Sequence, residues 1–351
     1  MNRYWSGRIR DIVPYTPGEQ PRERKFIKLN TNECPYPPSP QVAEAVQAAA
    51  GESLRLYPDP ECLELRTAIA RREGLEVDQV FCGNGSDEIL AFAFQAFFDP
   101  ERTVVFPKIT YSFYPVYTDF FGLTRREVPM NPDFSNPIDL LCGHNGGVVL
   151  ANPNAPTGIV VGLDTVEKLL GANPDVVVIV DEAYIDFGGE SAVGLIGRHP
   201  NLLVVQTASK SRALAGLRVG WAMGDPGLID GLRCVRDSIN SYTVDRLAQA
   251  GAAAAIWAED YFQSVRRQVM DTRERTKKAL KEKGFTVLPS QANFLFVSHP
   301  DHSGKKLLDG LRARGVLVRW WDKPEIKDWL RISIGTDEDM EALVQAFCEL
   351  I

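Results

Sequence analysis

The run Val176-Val177-Val178-Ile179-Val180 is β-branched and apolar at every position, and it constrains the fold more than any other segment. A strand with one wet face alternates apolar and polar residues, whereas a strand with no polar position must be covered on both sides. Helices packed on both faces of a parallel or mixed sheet give that cover, so the segment points to an α/β architecture. The flanking chain agrees. Val80–Cys82, Thr103–Phe106, Val148–Ala151, Leu202–Gln206 and Val219–Ala222 read as further strands, with helical patterns at Asp87–Phe98 and Asp164–Leu170. Polar or Gly-rich turns follow several strands, at 83–86, 152–158 and 181–183. Ligands of open α/β sheets bind beyond the carboxyl ends of the strands, where these turns fall.

A long charged helix, Tyr261–Lys283, leads out of this core. Beyond it, strands at Phe285–Leu288, Asn293–Val297, Val316–Trp320 and Leu330–Ile334 accompany helices at Gly304–Arg314 and Glu338–Leu350, which reads as a smaller α+β lobe. The expected division is a large domain over 31–262 and a small domain made of 263–351 plus an N-terminal arm, 1–30.

Several function classes are poor fits. The net charge is −7 with scattered basic residues, which disfavours binding to nucleic acid. Apolar runs such as Ala252–Ala258 are too short to span a bilayer, and no apolar stretch follows the polar, basic start Met1–Arg10. A cytoplasmic protein without a membrane partner is expected. The 6 cysteines stand singly, which reads as reduced thiols. His299 and His302 sit in a Pro- and Gly-containing loop without further ligands, so no metal is expected and histidine-centred catalysis is disfavoured.

Chemistry concentrates at Thr207-Ala208-Ser209-Lys210-Ser211-Arg212-Ala213-Leu214-Ala215-Gly216-Leu217-Arg218-Val219-Gly220. A lysine that forms an imine must be uncharged part of the time, a state favoured by desolvation and nearby positive charge. Arg218 could supply that charge while clamping a phosphate, with Thr207 and Ser209 donating to its oxygens. The same residues also suit a helix start capped by Ser209, with Lys210 solvated. Asp181 closes the apolar strand and seeks a cationic partner, or simply caps the next turn. Gly83-Asn84-Gly85-Ser86-Asp87-Glu88 runs from strand to helix and suits an anion at the helix N-terminus, or a plain Ser86 cap.

The segment S-K-x-x-x-L-A-G-L-R-x-G resembles the cofactor-lysine signature of fold-type I aminotransferases, and with Ser211-Arg212 it is most similar to histidinol-phosphate aminotransferases. The resemblance runs from N-T-N-E-C-P-Y-P-P-S-P to L-R-I-S-I-G-T, nearly the whole chain. It implies a mostly parallel, mixed seven-stranded sheet sandwiched by helices, with pyridoxal 5′-phosphate held as a Schiff base by Lys210. Arg218, Thr207, Ser209, Gly85, Ser86 and the Asp87 amide are then expected at the cofactor phosphate. In D-E-A-Y, Asp181 is assigned to the ring nitrogen and Tyr184 to the phenolate oxygen. Tyr111, in P-K-I-T-Y, is expected to stack on the ring. Asn152-Pro153-Asn154-Ala155-Pro156-Thr157-Gly158 departs from the family's N-P-N-N-P-T-G at Ala155, leaving Asn154 or Asn152 as a substitute for the usual asparagine, or Tyr184 to act alone. Tyr57, in Y-P-D, is expected to reach a neighbouring subunit's cofactor phosphate, which implies a homodimer with shared sites.

Period-2 alternation in Trp329-Leu330-Arg331-Ile332-Ser333-Ile334 sets Arg331 opposite the apolar face, and Val318-Arg319-Trp320 presents a second arginine. Such a pair suits phosphate or carboxylate. The resemblance implies that Arg331 and Arg319 bind the substrate phosphate, Arg331 also the carboxylate of glutamate, with Tyr15, Asn32 and Tyr242 on the substrate side. It implies ping-pong transfer between L-histidinol phosphate and 2-oxoglutarate in histidine biosynthesis. Rivals are an aromatic-amino-acid aminotransferase or a threonine-phosphate decarboxylase on the same scaffold, and a non-catalytic, cofactor-binding regulatory module.

Overall fold

The computed structural model describes residues 3–10, 12–21, 25–143 and 145–351. Of the arm expected over 1–30, residues 1, 2, 11 and 22–24 lie outside the described residues. Among the described residues twelve strands form three sheets: β1 Ile27–Leu29, β2 Val80–Gly83, β3 Val104–Pro107, β4 Arg125–Val128, β5 Gly147–Ala151, β6 Val178–Asp181, β7 Leu202–Thr207, β8 Gly220–Gly224, β9 Thr286–Val287, β10 Phe294–Ser298, β11 Val316–Val318 and β12 Trp329–Ser333. The largest sheet has seven strands in the order β2-β8-β7-β6-β5-β3-β4. Only β8 runs antiparallel to its neighbours β2 and β7.

Strand alternation sends successive residues to two separate cores. Val178 and Val180 pack on one face of the sheet with Val148, Leu150 and Val204. Ile179 packs on the other with Val149, Leu203 and Val205. This two-sided burial is why the run could not tolerate a polar residue. The strand nevertheless begins at Val178: Val176 is held in the preceding turn, its amide donating to the Asn173 carbonyl (3.4 Å) and its carbonyl accepting from the Asn201 side chain (3.3 Å). Expectation also missed β4, whose polar Arg-Arg-Glu-Val pairs only with β3 at the sheet edge.

The chain after helix Glu259–Glu282 builds the antiparallel sheet β12-β10-β9 and pairs β11 in parallel with β1. Arg319 and Arg331 join these two small sheets by reciprocal backbone hydrogen bonds of 2.9 Å. Both arginines are thereby brought opposite the carboxyl ends of β6 and β7. Among the described residues no helix is long and apolar enough to cross a membrane.

Candidate active site

A cleft opens at the carboxyl ends of β5, β6 and β7. Asp181 lies on its floor, 5% exposed, with Oδ2 accepting from the Tyr114 hydroxyl (2.7 Å) and Oδ1 from the Ala183 amide (3.2 Å). Burial pushes this carboxyl up to about 6, against the pull of those two donors. A carboxylate so placed is ready for a cationic partner.

Lys210 enters the cleft from the turn after β7, and its Nζ donates to the Thr31 carbonyl (3.2 Å). It lies 5.8 Å from the centre of the Tyr184 ring. Tyr184 stands edge-on to Phe294, and its hydroxyl accepts from Asn32 Nδ2 (3.0 Å). Lysine, phenol and carboxylate therefore converge from separate loops on one space.

One end of that space is an anion cradle. Helix Gly85–Phe97 begins there, and its N-cap residue Asn84 makes no side-chain capping bond. Its first-turn amides are thus left to a ligand. Gly85 has φ +81°, and a Cβ there would stand 2.6 Å from Arg218 Nη2. Gly220 lets strand and helix meet, since a Cβ on it would fall 2.5 Å from the Ser86 amide nitrogen. Thr207 lines the cleft, and Ser209 Oγ is buried there with no hydrogen-bond partner among the described residues. Ser209 is therefore not a helix cap, and Ser86 is inside the helix rather than at its cap. The Asp87 side chain accepts from the Tyr111 hydroxyl (2.8 Å) and from Arg218 (3.3 Å), tying the aromatic wall to the cradle. Burial and the adjacent Asp87 charge push the Tyr111 phenol well above its ordinary range.

The other end carries Arg319 and Arg331. Arg331 donates to the Asn30 carbonyl (3.0 Å), and its Nε is buried with no hydrogen-bond partner among the described residues. Desolvation holds its guanidinium below the ordinary range. Arg319 donates to the carbonyls of Thr16 (2.9 Å) and Pro17 (3.2 Å). Tyr15 completes this wall, stacked on Phe113 at 4.5 Å. Neither guanidinium has a carboxylate at ion-pair distance among the described residues. Four cationic side chains and two carboxylates line the cleft, against the acidic balance of the whole chain.

Other expected residues stand elsewhere. Asn154 is fully buried and bonded to Thr110, the Ile109 carbonyl and Thr157, while Asn152 clamps both backbone groups of Val161. Both side chains hold the loop, and Pro153 and Ala155 are the members of this motif that line the cleft. Asn32 lies behind Tyr184, 1% exposed and bonded to Ser333 as well, rather than on the substrate side. Tyr57 and Tyr242 stack on each other (4.5 Å) at the surface, 78% and 42% exposed, and neither lines the cleft. Tyr114, Thr31 and Phe113 were not anticipated. Among the described residues no cluster of His, Cys, Asp or Glu could hold a metal ion.

A model of the aminotransferase class I and II family matches residues 24–347. The chain is 52% identical to the histidinol-phosphate aminotransferase of Clostridium acetobutylicum over 351 residues, all of both chains. It is 54% identical to histidinol-phosphate aminotransferase 1 of Bordetella parapertussis, covering 99% of this chain and 98% of that one. Its fold superimposes on the Sinorhizobium meliloti histidinol-phosphate aminotransferase solved with pyridoxal-5′-phosphate at a TM-score of 0.91, with 25% identity and coverage of 100% and 98%. With these matches spanning the cleft-forming segments, the chain belongs to the class I and II aminotransferases.

Proposed function

We propose that the chain is a pyridoxal 5′-phosphate-dependent transaminase that moves the amino group of L-histidinol phosphate to 2-oxoglutarate. The observation that carries this reading is a cleft with Lys210 at its centre and an anion site at each end. The residues fit the cofactor: among the described residues, Ser209 Oγ and the first turn of helix Gly85–Phe97 have no side-chain partner of the kind a phosphate would supply, and Asp181 has no cation at ion-pair distance. Arg218, Thr207, Ser209, Gly85, Ser86 and the Asp87 amide hold the phosphate, and Tyr111 flanks the ring.

When bound, the cofactor supplies an aldehyde that condenses with amines and a protonated ring that takes up an electron pair from the substrate carbon. Lys210 would supply the attaching amine and the base that takes the proton from the substrate Cα. Asp181 keeps the ring nitrogen protonated. Tyr184, fixed by Asn32, donates to the phenolate oxygen. Arg331 and Arg319 bind the substrate phosphate, and in the second half-reaction Arg331 takes a carboxylate of the oxo acid, for which its planar fork is suited. These arginines lie on the smaller of two lobes, divided near residues 31 and 262.

The functional unit is a homodimer in the cytoplasm. Leu54, Leu56, Tyr57, Leu63, Ile239 and Tyr242 are exposed apolar side chains, and a shared interface would bury them and carry Tyr57 to the partner's cofactor phosphate. Sedimentation as a monomer at micromolar concentration would refute this. Activity is tested by a donor screen with 2-oxoglutarate: histidinol phosphate is used far better than histidinol, phenylalanine or aspartate. Equal use of phenylalanine refutes the substrate assignment, carbon dioxide release from phosphothreonine makes it a lyase, and borohydride labelling anywhere but Lys210 refutes the chemistry.

A further inference from the structure

Behind the cleft floor lies a buried carboxylate that no step above uses. Glu182 is 1% exposed and has no cation at ion-pair distance among the described residues. Its Oε1 accepts from the Ala192 amide (2.7 Å), and its Oε2 accepts from Ser191 Oγ (2.6 Å) and Gln206 Nε2 (2.8 Å). Gln206 Oε1 in turn accepts from Trp221 Nε1 (3.2 Å). Burying an acid is costly even when every lone pair is met, and an apolar side chain of similar volume would be cheaper for stability alone.

The placement of the network explains what the acid does. Gln206 and Trp221 are directly paired across β7 and β8, and the next pair along is Thr207 with Gly220. Successive strand residues face opposite ways, so 182, 206 and 221 lie on the hidden side of the sheet, each the chain neighbour of 181, 207 or 220. Each of those three front positions builds the site. Asp181 and Thr207 line the cleft, and Gly220 admits the Ser86 amide. The Glu182 amide also donates to the Val205 carbonyl (2.8 Å), extending the pairing of β6 with β7 past Asp181.

We propose that Glu182 is a positioning residue that, through Gln206 and Trp221, sets the spacing between the ring-nitrogen carboxylate Asp181 and the phosphate-side elements at Thr207 and Gly220. The inference rests on the cofactor reading above. Glu182→Gln keeps the volume but replaces one acceptor by a donor, so either the Ala192 amide or the Gln206 amide loses its partner. Glu182→Gln combined with Gln206→Glu restores the pair with its polarity reversed. The new side-chain amide at position 182 then donates to the new carboxylate at position 206, whose second oxygen accepts from Trp221. The carbonyl of that new amide accepts from the Ala192 backbone.

The test titrates pyridoxal 5′-phosphate into full-length apoprotein, followed by fluorescence, with thermal unfolding recorded alongside. Glu182→Gln weakens cofactor affinity roughly ten-fold, as loss of an outer-shell partner does elsewhere. It lowers kcat more than it raises the KM for the amino donor, and the double exchange recovers most of the affinity. Wild-type affinity in a folded Glu182→Gln protein overturns the proposal, and so does a loss that the exchange fails to recover. If Glu182→Gln does not fold, Ser191→Ala serves instead: a two- to three-fold loss of affinity is expected, and none overturns the idea. Wild-type protein that ignores the cofactor refutes the function reading itself, whereas normal wild-type binding beside an unchanged variant refutes only the role of Glu182.

Discussion

Removing one oxygen, in Tyr114→Phe, tests how Asp181 is kept ionised. The Tyr114 hydroxyl donates to Asp181 Oδ2 at 2.7 Å, while its ring stays packed against Phe94, Phe106 and Tyr111. A hydrogen bond to a charged group contributes about 1.5–3 kcal/mol, and about 1.36 kcal/mol corresponds to one pKa unit. Losing it moves the carboxyl from about 6 upward by roughly one to two units. On the proposed pairing of Asp181 with the cofactor's ring nitrogen, the ionised acid is the binding form, so the variant would bind pyridoxal 5′-phosphate more weakly than wild type where its own acid is neutral. The affinity ratio is then about two- to ten-fold at pH 7, grows toward lower pH and vanishes at high pH. Taking the ratio cancels the cofactor's own titration. Stability of the apoprotein gives a second readout. With the folded pKa above the unfolded one, the Asp181 contribution is fully present below the unfolded value and is lost as pH rises through the folded value. The variant extends that loss upward, so denaturant unfolding near pH 8.5 shows it about 1.4–2.7 kcal/mol less stable from this source, with no such gap near pH 4. A gap independent of pH, or superimposable cofactor affinities across the range, refutes the reasoning.

Two further substitutions separate the ends of the cleft. Arg331→Gln lowers kcat/KM for histidinol phosphate by roughly 30-fold or more, because breaking one side of a desolvated charge contact costs about 2–5 kcal/mol; an equal loss for unphosphorylated histidinol would show that the side chain does not read phosphate. Gly85→Ala forces a side chain into left-handed backbone and against Arg218, which at about 1–3 kcal/mol of strain weakens cofactor affinity roughly five-fold or more. Equilibrium dialysis checks it, and unchanged affinity removes the cradle from the cofactor site.

What the sequence disclosed, and what it hid, follows from where each piece of information is stored. Val178–Val180 was legible because burial on both faces leaves no polar position, whereas edge strand β4 hides its pairing behind Arg125, Arg126 and Glu127. Lys210 and Arg218 were legible as a motif because a short turn joins them. Tyr114 was not, since its bond to Asp181 spans 67 residues and locally it is one aromatic among several. Thr31 contributes a backbone carbonyl, which every residue type possesses. Tyr57 and Tyr242 show the opposite failure. The motif placed them at a site, yet in this chain they stack on each other at the surface, away from the cleft. Charge makes the same point most sharply. A net −7 argues against anionic ligands if read as an average, but the field in a cleft belongs to the few groups that line it. Lys210 and Arg218 come from turns beside β7 and β8, Arg319 and Arg331 from the small sheets, and topology alone makes their charges add.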